Sequence, residues 1–539
     1  MTTPLPDPIA GARRRRTLPR VVGLPGLLAL AAAAMPGPVA AEHARTAHAA
    51  AAARVASVPA SAPGAGGLHA NVAGDAAAPT ADETPLPAAV ASALRHAELP
   101  TQALAAWVQA VDAPQPALSW RADVPVNPAS VFKLVTTTAG LDLLGPAFSW
   151  TTPVLFTGPV RDGVLHGSLV IQGRGDPKLV MERAWLLLRQ VRAAGVRDID
   201  GDIVLDSSAF AAPEATPADF DGEPWHPYNV LPDALLLNYK AVTLSFTPEA
   251  DGHVARVSAE PPLAGVATPA SVPLLRGPCD DWRGGLRLDA ADATAWRFAG
   301  GYPASCGART WPLAYADPAR YNARMVEALW QEAGGRLHGS VRVGATPLEA
   351  AALVPAFTFA SPPLADVVRD INKYSNNVMA EQLFLTLALQ RPGHAAGTPA
   401  TPAEARAVLS QWLRERLGPA VDDTVVVNGS GLARNTRIRA RTLGRLLAWI
   451  ESGALAPELL SSLPVTGVDG TMKRSAAATG RALLKTGSMR DVQAIAGEVL
   501  AADGRRYVVV AVVNDARASA ARPALEALVA WVAAGARAP

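Results

Sequence analysis

The sequence predicts an α/β chain of the α+β kind, in which an antiparallel sheet packs against a helical cluster and a mostly β insertion interrupts the domain. Three patterns carry that expectation. Strand-like runs lie towards both ends of the chain, "ALAAWVQAVD" and "PALSWRAD" early, "LLKTGSM", "QAIAGEVL" and "RYVVVAVVN" late, as though one sheet drew on both. Between them, residues 152–350 hold short strand patterns broken by Gly, Pro and Asp, such as "GSLVIQGRGDPKL", "DIDGDIVLDSSAF" and "HVARVSAEPPL". Helical spacing resumes after Pro362 in "LADVVRDINKYSNNVMAEQLFLTLAL" and "AEARAVLSQWLRERLG".

Taken in order, the first residues read as an export signal. Basic "RRRRTLPR" (Arg13 to Arg20) precedes the apolar Val21 to Met35, and Val39 and Ala41 suit a small-residue cleavage site. The apolar run is short for a membrane span, and no later segment reaches the ~18 apolar residues a spanning helix needs. Export with cleavage near Ala41 is the expectation, an uncleaved anchor the alternative, and the export route stays open. Glu42 to Pro85 is Ala-rich with few large apolar residues, so it cannot offset its ordering entropy and reads as a flexible tether. Its histidines, His43, His48 and His69, lack ligand spacing, and no metal is expected.

The folded region then opens with a helix over Leu86 to Leu99, followed by the two early strands. The insertion includes one clear helix, "ARYNARMVEALWQEAGG", and the chain's two cysteines, Cys279 and Cys306. In an exported chain such a pair is expected as a disulfide, two unpaired thiols being the alternative. Trp282 and Trp311 flank the pair and suggest a packed satellite around it. Arg174-Gly175-Asp176 before Pro177 reads as a turn. At the far end Asp503-Gly504 signals a hairpin, and a closing amphipathic helix begins near Arg522.

A formal charge of +2 on 539 residues suggests no nucleic-acid partner. The choice of cation is more informative. Of 49 cationic side chains only six are lysine, at 133, 178, 240, 373, 473 and 485. Arginine stays charged in proteins, whereas a buried lysine beside another cation can become a neutral base. Lys133 follows Ser130 by one helical turn in "NPASVFKLVTT", where its amine could take the proton of the attacking hydroxyl.

Ser-x-x-Lys alone is a weak signal. It is joined here by Ser375-Asn376-Asn377 between two helices and by Lys485-Thr486-Gly487 on a strand. The three triplets, in this order, form the motif set of penicillin-binding proteins and class A β-lactamases. Each residue has a chemical reason. Ser375 can pass a proton towards a leaving amine, Asn377 can bond a substrate amide, and Lys485 with Thr486 can hold a carboxylate and help keep Lys133 neutral. Gly487 would leave the strand edge free for an extended substrate, and the backbone N–H groups of Ser130 and Ser488 would form the oxyanion hole.

With those motifs, residues 86 to 535 resemble the D-alanyl-D-alanine carboxypeptidase/endopeptidase family of low-molecular-mass penicillin-binding proteins, peptidase family S13, of the penicillin-binding protein 4 type. "GRGDPKL", "GDIVLDSSAF", "LLNYKAVTLSFTP", "NGSGLARNTRI" and "LPVTGVDGTMKR" resemble that family's segments, as does the long interval from Ser130 to Ser375. The resemblance implies a penicillin-recognising, β-lactamase-like fold split into 86–151 and 351–539 around an insertion at 152–350. It further implies hydrolysis of peptidoglycan stem peptides in the bacterial periplasm through an acyl-enzyme on Ser130, acylation of that serine by β-lactams that then leave slowly, and no cofactor. Peripheral membrane association would be compatible with it.

Two departures stand out. The only Leu-Asn pair, Leu237-Asn238, has Ala234 where a class A β-lactamase has its glutamate, which argues against a fast enzyme of that class. The family's Asp-Gly-Ser-Gly is here Asn428-Gly429-Ser430-Gly431. A serine esterase, a slow β-lactamase or a non-catalytic peptidoglycan-binding protein are the rival readings. From the insertion, Arg174 and Asp176 are the side chains expected near the cleft.

Overall fold

The computed structural model describes residues 83–536 apart from 214. The export signal and almost all of the tether lie outside the described residues.

The early and late strands do form one antiparallel sheet. Its order is Leu118–Trp120, Leu104–Ala110, Arg506–Asn514, Val492–Leu500, Ala482–Met489, so the last strand of the chain lies at the centre and Ala482–Met489 at an edge. Leu104 pairs with Val513 and Ala110 with Tyr507. The unbroken apolar run of the central strand follows from burial on both faces. Val508, Val510 and Val512 point into a core shared with helix Ala440–Glu451, while Val509, Ala511 and Val513 meet helices Ala88–His96 and Arg522–Ala533. Each buried valine contributes about 1.5–3 kcal/mol relative to exposure.

Helix Lys133–Leu144 lies inside the helical cluster and is buried on nearly all sides. It is entered through a tight turn, Ala129–Phe132, rather than starting at Ser130 itself. The Asn127 side chain sets that turn, since Oδ1 accepts the Ala129 N–H at 2.9 Å while Nδ2 donates to the Ala433 and Arg434 carbonyls. Helices Leu364–Tyr374 and Asn377–Leu389 pack against it.

The intervening region holds its own core, with Phe246, Tyr302, Tyr321 and Trp330 fully buried. One mixed sheet runs Val341–Val343, Ile203–Asp206, Leu169–Gln172, Thr151–Phe156, Phe357–Ala360. Ala360 pairs with Thr151, so the chain leaves and returns at adjacent points, the return strand lying beyond residue 350. A second sheet runs Tyr302–Pro303, Ser271–Leu275, Val254–Glu260, Ala241–Pro248, Arg309–Ala314. Cys279 and Cys306 are disulfide-bonded beside it, with Trp282 packed edge-on to Trp311 and Tyr302. Among the described residues no helix is long and apolar enough to cross a membrane, and no cluster of three or more metal-ligating side chains occurs.

Candidate active site

The three motifs converge where the edge strand meets the Ala129–Phe132 turn. Lys133 Nζ lies 2.8 Å from Ser130 Oγ, 2.6 Å from Asn377 Oδ1 and 2.7 Å from the Ser430 carbonyl oxygen. An ammonium would donate to all three, whereas a neutral amine would donate to Asn377 and Ser430 and accept the Ser130 hydroxyl proton. Lys485 Nζ donates to Ser375 Oγ at 2.9 Å and to the Thr486 carbonyl at 2.6 Å. Both lysines are entirely buried. Burial, then the neighbouring Lys485 charge, push Lys133 well below the ordinary lysine range, and Glu381 draws it back upward. Burial pushes Lys485 down to about 7.

Ser130 and Ser375 are half-buried and line a cleft of about 380 Å³. Thr486 and the exposed Ser488 line it from the edge strand, whose outer backbone edge pairs with residues 464–466 only as far as Leu484. Thr486 Oγ1 donates to Thr471 Oγ1 at 2.8 Å, and Ser488 Oγ lies 3.2 Å from Gln493 Oε1. Gly487 faces inward. A Cβ there would stand 2.5 Å from the Pro128 carbonyl oxygen, so its missing side chain lets the strand seat on the turn that carries Ser130. That differs from freedom at the substrate edge, the reason expected from sequence.

Asn377 is likewise more committed than expected. Its Oδ1 meets Lys133 and its Nδ2 donates to the Tyr228 carbonyl at 3.0 Å, which leaves the buried amide engaged at both ends within the protein. Arg174 and Asp176 do not line the cleft. Asp176 is buried and its Oδ1 accepts the Lys178 N–H, holding the turn before Leu179, while Arg174 lies on the surface beside Gln172. The cations that do line the cleft are Arg474 and Arg522.

Sequence reasoning also missed Glu381. Its Oε1 accepts the Ser430 hydroxyl at 2.7 Å and Asn428 Nδ2 at 3.1 Å. Burial pushes this carboxyl up to about 7, opposed by the Ser430 hydrogen bond and the Lys133 charge. Its position, one turn after Asn377 and the only charge in a mostly apolar helix, was the available signal. The Asn428 side chain closes the neighbouring turn, Oδ1 accepting the N–H groups of Ser430 and Gly431 at 3.2 and 3.0 Å. Gly431 takes φ +74° there, against the Ala129 carbonyl.

An antiparallel sheet flanked by helices, with a Ser-x-x-Lys turn against its edge strand, defines a penicillin-recognising serine DD-peptidase fold. The chain belongs to the D-Ala-D-Ala carboxypeptidase 3 (S13) family, whose model matches residues 86–535. It is 23% identical over 407 residues to the D-alanyl-D-alanine carboxypeptidase DacB of Haemophilus influenzae, covering 72% of this chain and 80% of that one. It is 28% identical over 397 residues to a D-alanyl-D-alanine carboxypeptidase of an Actinomadura species, covering 70% and 71%. Among solved structures, penicillin binding protein 4 of Haemophilus influenzae superposes with a TM-score of 0.67 at 20% identity, over 82% of this chain and 98% of the other.

Proposed function

We propose that this protein is a serine-type D-Ala-D-Ala carboxypeptidase, with DD-endopeptidase capacity, that acts on peptidoglycan stem peptides and is acylated by β-lactams. The observation that carries the reading is the pair formed by Ser130 and a fully buried Lys133, 2.8 Å apart and backed by a second buried lysine. Burial and the Lys485 charge favour the neutral amine. Ser130 Oγ attacks the carbonyl carbon preceding the terminal D-alanine as its proton passes to Lys133 Nζ. The C–N bond then breaks as Ser375, bonded to Lys485, gives its hydroxyl proton to the leaving amine and regains one from the protonated Lys133, which restores the neutral amine. Water resolves the acyl-enzyme with Lys133 again as base. The Ser130 and Ser488 N–H groups face the developing oxyanion, and Thr486 with Lys485 takes the substrate carboxylate. A bound carboxylate would favour the charged form of Lys485.

In this reading the catalytic domain comprises 86–151 and 351–539, and 152–350 is inserted. The basic, apolar and small-residue leader supports export, with the periplasm as the site of action. The test is incubation of the mature protein and its Ser130→Ala variant with fluorescent penicillin, followed by a denaturing gel. A covalent band from the wild type alone is expected, and release of D-alanine from a pentapeptide should vanish in the same variant. A folded wild type that takes no label would overturn the reading.

A further inference from the structure

A buried carboxyl sits next to the Ser130–Lys133 pair and the reaction as described does not use it. Glu381 touches neither Ser130 nor Lys133. It grips the loop that does, through the Ser430 hydroxyl and the Asn428 amide, while the Ser430 carbonyl accepts from Lys133 Nζ. Asn428 stands where relatives are expected to carry aspartate. Its amide group donates to Glu381 and its Oδ1 closes the turn, a division of labour that an ionised aspartate, having no N–H, cannot perform.

We infer that Glu381 is a positioning residue for the Ser130–Lys133 pair: through Ser430 it holds the third acceptor of the lysine in place and supplies the negative charge that offsets the cation formed when Lys133 takes the serine proton. The inference rests on the Ser130–Lys133 reading above. The need is physical. A proton arriving on a fully buried amine beside a second buried lysine creates a charge that water cannot solvate, and a carboxylate in the same low-dielectric cluster is the group that can offset it. The charged groups that face Lys133 are Lys485 from the edge strand and Glu381 from helix Asn377–Leu389, the remaining contacts being the neutral Ser130, Asn377 and Ser430. Facing Glu381 are Lys133, Ser430 and Asn428. Because Asn428 donates to the carboxyl, Glu381→Gln combined with Asn428→Asp exchanges acid and amide between helix and turn and keeps one negative charge in the cluster.

That exchange is the test. With only six lysines, protein labelled with carbon-13 at lysine Cε gives a spectrum simple enough to titrate, Lys133 being assigned from the Lys133→Arg spectrum. Glu381→Gln keeps shape and an acceptor oxygen but removes the charge, and is expected to lower the Lys133 midpoint by about one pH unit. The double variant Glu381→Gln/Asn428→Asp should return it at least halfway, and Asn428→Asp alone should raise it. The ascending limb of penicillin acylation against pH should move in the same direction as each midpoint, a displacement that loss of packing alone would not produce. A Lys133 midpoint unmoved in folded Glu381→Gln overturns the inference. Should that variant not fold, an unmoved midpoint in Asn428→Asp overturns it equally. The lysine titration needs no substrate, so a wild type inert to penicillin would overturn the Ser130 reading while a shifted midpoint would still support the coupling.

Discussion

Lys485 illustrates how a single functional side chain weakens the fold that holds it. Burial brings its folded-state pKa to about 7, against about 10.4 for an unfolded lysine. Between those values the unfolded chain binds the additional proton, so stability rises as pH rises through that window and is least below pH 7. Replacing this cation with a hydrophobe of similar length should therefore stabilise the protein most in acid. Lys485→Met is expected to raise Tm at pH 6 by roughly 2–4 °C, with the gain shrinking towards pH 10, while penicillin labelling falls sharply. Calorimetry across pH would show it, and a destabilised variant at pH 6 would contradict the assignment of a buried, desolvated amine. The lysine economy of the sequence already pointed to 133 and 485, because a residue type retained against strong bias marks where arginine would fail. It could not point to Glu381, Tyr228 or Arg474. Those enter the site through tertiary contacts, and a carbonyl such as that of Tyr228 leaves no trace in residue identity.

At the scale of elements, the seating of the edge strand on the Ala129–Phe132 turn is the contact that makes a cleft from two otherwise separate motifs. Gly487→Ala places a Cβ against the Pro128 carbonyl and, at 3.2 Å, against the Ala129 side chain and the Val131 nitrogen. Strand and turn must separate. The expected result is a protein with native-like circular dichroism whose rate of penicillin acylation falls by about 10²-fold, the cost of a misplacement near 1 Å. An unchanged rate would show that the strand can move without disturbing Ser130. Strand 482–489, the hairpin after it and the closing helix were legible because their periodicity is local. The mixed sheet of the intervening region was less so. Its strands Val341–Val343 and Ile203–Asp206 are short and pair in parallel across well over a hundred residues, and neither turn chemistry nor alternation encodes such a partner. The tight entry turn was not legible either, because Asn127 and the positive φ of Ala129 start a tighter helix before the α-helix proper at Lys133.

For the molecule as a whole, two cores divide the work. The one beneath the helical cluster and terminal-strand sheet fixes Ser130, and the one containing Trp330 and Tyr302 organises the sheets of the intervening region. The disulfide belongs to the second. Closing a loop of 27 residues, it contributes roughly 3 kcal/mol in the chain-entropy account. The Cys279→Ser/Cys306→Ser variant is expected to show an early, separate melting step from this second core and yet keep penicillin labelling at ambient temperature. Loss of labelling in step with that melting would tie the two cores together more closely than their separate packing implies.

The pairing of Leu104–Ala110 with Arg506–Asn514 also governs when the protein can begin to act. Ser130 and Lys133 are made early, but the strand beside their sheet is among the last parts of the chain to be synthesised, and Asn127 is tied to Asn514 by two hydrogen bonds, its N–H to Oδ1 at 2.8 Å and its carbonyl to Nδ2 at 2.9 Å. Contacts so distant in sequence form slowly. A ribosome stalled before residue 506 leaves a chain that carries Ser130 with nothing to aim it. For a serine DD-peptidase, completion of the polypeptide is thereby a safeguard written into strand order.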